Sequence, residues 1–367
     1  QIVGYPQFNG DGINVAIGDD GMIESHIDFK NRTHQTDVQG DLEGSHGEMV
    51  AGILAGAGNL NPQMEGTASH AEVHMFHEFD AVKKATTLYN NRNILITSTS
   101  YSDGCNRGYT YLAQLADYQV KNNTSLIHVF SAGNTGNEDC GYGAGAGWGN
   151  ITGGVKIGKN VLTVANAQDA VINADGSLSS VLINSSSSQG PSDDRRIKPD
   201  IAGNGTSVNS LSDTSDTATT NMSGTSMAAP NVTGTLLLLQ QHYKNLTNSF
   251  MRAATLKGLA CHTADDAGAV GPDPVFGWGL LNAKKAAETI SNNGLSSWVS
   301  EEKLNHLFAS LKAEKASTSV ADVTTWIQAS AQVSAPKSTS KSIIQKNFFI
   351  MSTIVAALIV GGICSEK

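Results

Sequence analysis

The feature that most constrains this chain is an alternation, kept up over residues 1–290, of short buried-strand runs with helices that open on small residues. Ile13 to Ile17 is an apolar run that ends in Gly18-Asp19-Asp20-Gly21, the pattern of a strand followed by a tight turn. Ile94 to Ser100 alternates and is rich in β-branched residues, and Leu126 to Ser131 and Val161 to Ala165 are further buried strands. Between them, Gly47 to Ala57 is apolar, small and Gly-spaced, and Leu112 to Val120 has helical periodicity. Ser226 to Gln241 reads as a long apolar helix. Strands that alternate with helices in this way predict an α/β fold: a mainly parallel central sheet with helices on both faces. Reactive groups in such sheets gather at the carboxyl ends of the strands.

Composition narrows the partners. The 367 residues carry 24 Lys+Arg against 33 Asp+Glu, a net charge of -9, and no basic block, so nucleic acid is not an expected partner. The 38 glycines have no period of three, and with only 8 prolines they predict tight turns and close backbone approaches inside a folded domain. The start at Gln1 has no basic segment leading into an apolar stretch, as expected of a chain that has lost a leader or is a fragment. After Ile290 the character changes. The expected division is a main domain over 1–290, a helix (Trp298 to Ala316) plus a Ser/Thr/Ala-rich linker over 291–340, and an apolar tail over 341–367. The run from Phe348 to Cys364 reaches the lower limit for a spanning helix, so membrane association through this tail is an expectation alongside a sorting segment or a core helix.

Three segments carry chemistry-bearing residues. Asp19 stands at the end of a buried strand, His46 opens a small-residue helix within Ser45-His46-Gly47-Glu48, and Ser226 opens another within Ser223-Gly224-Thr225-Ser226. Asn134 follows a strand in Phe130-Ser131-Ala132-Gly133-Asn134. Taken singly, these are an Asp that caps a turn, a hydrogen-bonded structural His and an N-cap Ser. Together they are a full set for acyl transfer. A serine hydroxyl needs an adjacent base, and His suits that role near neutral pH. The imidazole needs a carboxylate to fix its tautomer and stabilise its cation. The oxyanion needs donors, which a side-chain amide and a backbone N–H at a helix start supply.

At this point the chain resembles the subtilisin-like serine peptidases (subtilases). Gly224-Thr225-Ser226-Met227-Ala228-Ala229-Pro230 matches that family's nucleophile motif at every position, and the Asp, His, Ser chain order is that of subtilisin. The resemblance covers about residues 9–290 and implies a three-layer subtilisin-like fold. It implies Asp19 as the orienting carboxylate, His46 as the base, Ser226 as the nucleophile and Asn134 with the Ser226 N–H as the oxyanion donors. The activity it implies is endopeptidase hydrolysis of extended polypeptides; a ligase or macrocyclase on the same site, or an inactive binding module, are the alternatives. Three positions depart from the family. Asp20 stands where Ser or Thr usually follows the catalytic Asp, and Glu48 and Met49 replace the usual Thr and second His.

The same resemblance assigns Ser100, Tyr101 and Ser102 to an edge that binds extended peptide, and Ser131, Ala132 and Gly133 to a wall of the primary specificity pocket, roomy enough for a sizeable apolar side chain. It makes the Gly141 to Gly149 stretch the pocket floor; that stretch lacks the strand–GxGxxG–helix context of a nucleotide site. No cofactor is required, and structural calcium, with Asp265, Asp266 and Asp273 as ligands, is weighed against a solvated acidic loop. A metal site at His70, His74 and His77 is not expected, since side chains at 74 and 77 point to opposite faces of a strand. Cys105 and Cys140, both in Gly/Asn/Asp-rich loop sequence, are paired if the protein is exported, in keeping with an extracellular or cell-surface location. The Asn-x-Ser/Thr sequons, including that at Asn221 beside the nucleophile, read as incidental.

Overall fold

The computed structural model describes residues 8–20, 22–35, 45–101, 104, 108–141, 145–151 and 154–292. The chain divides into two units, Gln1–Leu295 and Ser296–Lys367. The second unit, which contains the Trp298 to Ala316 helix, most of the linker and the apolar tail expected above, lies outside the described residues.

The described part is built around β1 (Asn14–Asp19), β2 (Thr33–His34), β3 (Glu72–His77), β4 (Ile94–Thr99), β5 (Ile127–Ser131), β6 (Leu162–Ala167) and, after a small hairpin of β7 (Val171–Ile172) and β8 (Leu178–Ser180), β9 (Ile201–Asn204). A second hairpin, β10 (Val208–Leu211) with β11 (Thr219–Met222), follows. Seven strands form one sheet in the order β2-β3-β1-β4-β5-β6-β9, and every neighbouring pair is parallel. The helices are α1 (Ser45–Ala55), α2 (Asp80–Lys83), α3 (Ala85–Arg92), α4 (Tyr111–Asn122), α5 (Thr225–Thr247), α6 (Ala253–Thr263) and α7 (Ala283–Asn292).

The period-two alternation of a strand sorts its side chains between the two helix layers. Val15 and Ile17 of β1 join the large core cluster with Val50 and Leu54 of α1 and Val232 and Leu236 of α5. Ala16, between them, packs instead with Phe76, Ala81 of α2 and Leu88 of α3. Both faces of the sheet are therefore covered, as the near-continuous apolar runs predict. The small residues of α5 permit close approach: a Cβ on Gly234 would lie 2.6 Å from Thr67 Cβ.

This topology positions the site. β1, β4 and β5 lie side by side and parallel, so Asp19, Ser100 and the Ser131–Asn134 turn emerge along one carboxyl edge of the sheet. Helices α1 and α5 pack against each other with their N-termini carrying His46 and Ser226.

Candidate active site

Asp19 ends β1 with its side chain fully buried. Its Oδ1 accepts a hydrogen bond from His46 Nδ1 at 2.6 Å and another from the Asp20 backbone N–H at 2.9 Å. The neighbouring carboxylate, Asp20, is farther from the ring, with Oδ1 3.9 Å from His46 Nδ1. Burial works against a charged imidazole, but the hydrogen bond that His46 donates to Asp19 and the charges of Asp19 and Asp20 outweigh it and raise the His46 pKa above its ordinary value.

Ser226 lies in the first turn of α5 and is 7% exposed. The turn before it is pinned from below. Gly224 N donates to Gly205 O at 2.8 Å, and Ser223 Oγ accepts from Ser207 N at 2.8 Å. A side chain on Gly205 would put its Cβ 2.5 Å from the Gly224 carbonyl oxygen, so the crossing needs glycine. Pro230, inside α5, has no N–H to give the Ser226 carbonyl four residues earlier. Ser100 Oγ donates to that carbonyl instead, at 3.0 Å. In return Ser226 Oγ donates to Ser100 O at 3.2 Å. No hydrogen bond joins Ser226 Oγ to His46 in this arrangement, yet both line one cleft of about 270 Å³ together with Asn134, Met222, Ser223, Gly224 and Met227.

Asn134 is exposed on that cleft. Its Oδ1 accepts from both Thr225 N, at 2.9 Å, and Thr225 Oγ1, at 3.0 Å. Two donors on one side-chain atom identify it as the oxygen, so the amide nitrogen is the atom left to face the cleft. Thr225 Oγ1 also accepts from Gly133 N at 3.0 Å. Thr225 therefore ties the turn after β5 to the start of α5.

The residues expected to bind substrate are placed more variously. The Ser100 side chain is buried and turned toward Ser226. Tyr101 is half-buried, edge-on to Phe79 at 5.7 Å, and its phenol is held protonated chiefly by its hydrogen bond to Glu78. Ser102 lies outside the described residues. Ser131, Ala132 and Gly133 are buried; Ala132 N donates to Val164 O and Gly133 O accepts from Ser188 N. Gly133 has φ +111°, a conformation that calls for glycine, and a Cβ there would also press on the ends of the Ser188 and Lys156 side chains, at 2.8 Å and 2.9 Å. Within the Gly141 to Gly149 stretch, 142–144 lie outside the described residues.

Cys140 is disulfide-bonded and Cys261 is free; Cys105, its expected partner, lies outside the described residues. The acidic loop carboxylates are engaged locally. Asp273 accepts from Ala269, Val275 and Phe276 N–H groups, Asp266 from Gly271 N, and Asp265 pairs with Lys285 and Asn282. His74 stacks on His34 at 4.3 Å, and His77 is exposed. Among the described residues, Asp19, Asp20 and His46 are the group of His, Cys and acidic side chains close enough to share an ion.

Sequence reasoning passed over Thr225 as the orienter of Asn134, and Ser100 as the support of Ser226. Neither has a sequence signal of its own, because each acts through a partner about a hundred residues away along the chain.

Comparison with known proteins follows the same lines. A stretch of 65 residues is 51% identical to the Neisserial autotransporter lipoprotein NalP of Neisseria meningitidis, and one of 66 residues is 42% identical to an extracellular serine protease of Serratia marcescens. Each covers 18% of this chain and 6% of the relative, so the chain spans a small part of the curated relatives that it matches. Among solved structures, the Clostridium perfringens CspB protease superposes with a TM-score of 0.64 at 16% identity, covering 78% of this chain and 94% of that one. The prenylagaramide maturation protease PagA superposes at 0.57 with 19% identity, covering 76% and 94%. At these identities the structures speak for the fold, a mainly parallel α/β sheet of the subtilisin-like proteases. The sequence profile of the Subtilase family matches residues 10–279, most of the chain, and on that match the protein belongs to the subtilase family.

Proposed function

We propose that the protein is a serine endopeptidase that hydrolyses extended polypeptides through an acyl-enzyme on Ser226. The observation that carries this reading is the convergence of His46, Asn134 and Ser226 on one cleft, with His46 Nδ1 already held by Asp19 at 2.6 Å. That hydrogen bond leaves His46 Nε2 as the basic nitrogen facing away from Asp19. Rotation of the Ser226 side chain off the Ser100 carbonyl delivers its proton to Nε2, and Oγ attacks the scissile carbonyl. The imidazolium that results lies against Asp19. The oxygen that gains charge is met by Asn134 Nδ2 and the Ser226 N–H, the latter at the start of a 23-residue helix whose dipole favours an anion there. His46 then returns the proton to the departing amine, and water repeats the sequence to free the acid.

Tyr101 and the Ser131–Gly133 turn stand as the walls between which an extended substrate lies. A location outside the cytosol is supported by the Cys140 disulfide and by the extracellular description of the Serratia relative. No cofactor enters this chemistry. The local engagement of Asp265, Asp266 and Asp273 supports the solvated-loop reading over calcium, so a chelator is expected to leave the melting temperature unchanged.

The test is covalent labelling with a fluorophosphonate probe at neutral pH. Wild type labels at Ser226 and Ser226→Ala does not, with circular dichroism unchanged between them. An unlabelled wild type overturns the reading. Product masses on model peptides separate hydrolysis from aminolysis by an acceptor amine.

A further inference from the structure

Asp19 Oδ1 is fully employed, but its second oxygen, Oδ2, is buried and meets no donor among the described residues. Asp20 Oδ1 is in the same condition. An oxygen of Asp19, an oxygen of Asp20 and a ring nitrogen of His46 all lie within 4.8 Å of one another. Each carboxyl group thus holds a buried acceptor without a donor, and one proton carried by Asp20 between them would satisfy both. We propose that Asp20 is a positioning residue whose carboxyl proton bridges Asp20 Oδ1 to Asp19 Oδ2, so that the making and breaking of this bridge governs how strongly Asp19 holds His46.

The proposal rests on the reading of Asp19, His46 and Ser226 as a triad. It also gives a chemical meaning to the departure at Asp20. A Ser or Thr hydroxyl at this place is a donor at every pH, whereas a carboxyl donates only while protonated. The groups facing the pair are His46 from α1, His77 and Glu78 at the end of β3, and Tyr101 after β4. Glu78 is a further acid, and its N–H donates to Asp19 O at 2.8 Å. Burial, then the hydrogen bond and charge of Asp19, raise the Asp20 pKa, while His46 opposes them. The Asp20 side chain is 46% exposed, so its proton exchanges directly with solvent.

With His46 charged, Asp20 gives up its proton to water and its carboxylate, 3.9 Å from Nδ1, stabilises the imidazolium. As the pH falls, Asp20 takes that proton back from water, the bridge to Asp19 re-forms, and the charge of Asp20 no longer supports the imidazolium. Ionised Asp20 therefore raises the pH at which the base becomes active.

The experiment compares wild type with Asp20→Asn and Asp20→Ser. It follows the His46 imidazole by NMR titration and the acid limb of kcat/KM. The expected result is a downward move of both midpoints in each variant by about half a pH unit or more, which on the acid limb is about a threefold larger share of plateau activity. Midpoints within about 0.2 unit of wild type overturn the proposal. Failure of both variants to fold also overturns it, in favour of a purely structural role. Ser226 labelling of wild type is run in parallel. If it fails, the peptidase reading is what falls, and the NMR titration still decides the role of Asp20.

Discussion

Ser100 and Ser226 exchange two hydrogen bonds: the Ser100 hydroxyl donates to the Ser226 carbonyl at 3.0 Å, and the Ser226 hydroxyl donates to the Ser100 carbonyl at 3.2 Å. The first of these replaces a helix bond that Pro230 cannot make. Ser100→Ala is therefore expected to leave a buried carbonyl without a donor, at a cost of about 1–3 kcal/mol. A lower urea midpoint and slower fluorophosphonate labelling, with the labelled site still Ser226, would be the observation. Unchanged stability would mean that water takes over the carbonyl.

Asn134 is oriented by Thr225 and not by the turn that bears it. Asn134→Leu removes the side-chain donor and is expected to lower kcat by about 10²–10³ with KM little changed. Thr225→Val keeps the backbone N–H bond to Asn134 but loses the hydroxyl bond and the acceptor for Gly133 N, so a smaller kcat loss in the same direction is expected. Steady-state kinetics on one peptide substrate measures both.

Glu48 is buried two residues beyond His46, with Oε1 meeting no donor among the described residues and Oε2 accepting from Glu24 N at 3.2 Å. Burial first, then the nearby acids Asp213, Glu24 and Asp216, push its pKa up to about 7 against the opposing Glu24 hydrogen bond. Between the ordinary value of 4.5 and about 7, the folded protein keeps a proton that the unfolded chain has released. Stability contributed by this group therefore falls as pH rises through that window. The loss is on the order of 1–2 kcal/mol once partial solvent screening is allowed for. Glu48→Gln should flatten the melting temperature between pH 5 and 8; a variant that keeps the wild-type slope would reject the assignment.

Asp200, at the foot of β9, accepts from Lys198 Nζ at 2.5 Å and Thr163 N at 2.8 Å, and Lys257 Nζ lies 2.8 Å from its other oxygen. Burial drives the Lys198 pKa down to about 8 even with Asp200 beside it. Asp200→Ala strands a buried ammonium and is expected to cost about 3–5 kcal/mol, read as a lower denaturant midpoint. Raising the pH past 8, where Lys198 sheds its proton, should narrow the gap between variant and wild type.

The parts of this fold that were legible in the sequence are those with a period. β1, β4, β5 and β6 and helices α1, α4 and α5 fall within a few residues of the runs that predict them, because each is long and buried. The hairpins β7–β8 and β10–β11, the short strand β9 and helices α3 and α6 carry weak or mixed patterns, and contacts made elsewhere in the chain decide them. The same division runs through the site. Asp19, His46 and Ser226 could be picked out because the chemistry demands those side chains in segments of recognisable local shape. The part played by Ser100 could not, since its hydroxyl matters through a vacancy that Pro230 creates 130 residues later.

Helix α5 has one more consequence. Over 23 residues, about 35 Å, it carries Ser226 at one end and Leu236, Leu237 and Leu239 through the middle of the hydrophobic core. The hydroxyl proposed as the nucleophile is thus mounted on a main internal strut of the described domain. Heat should then abolish activity and melt the whole domain in a single event, which makes a simple turnover assay a gauge of how much protein is still folded.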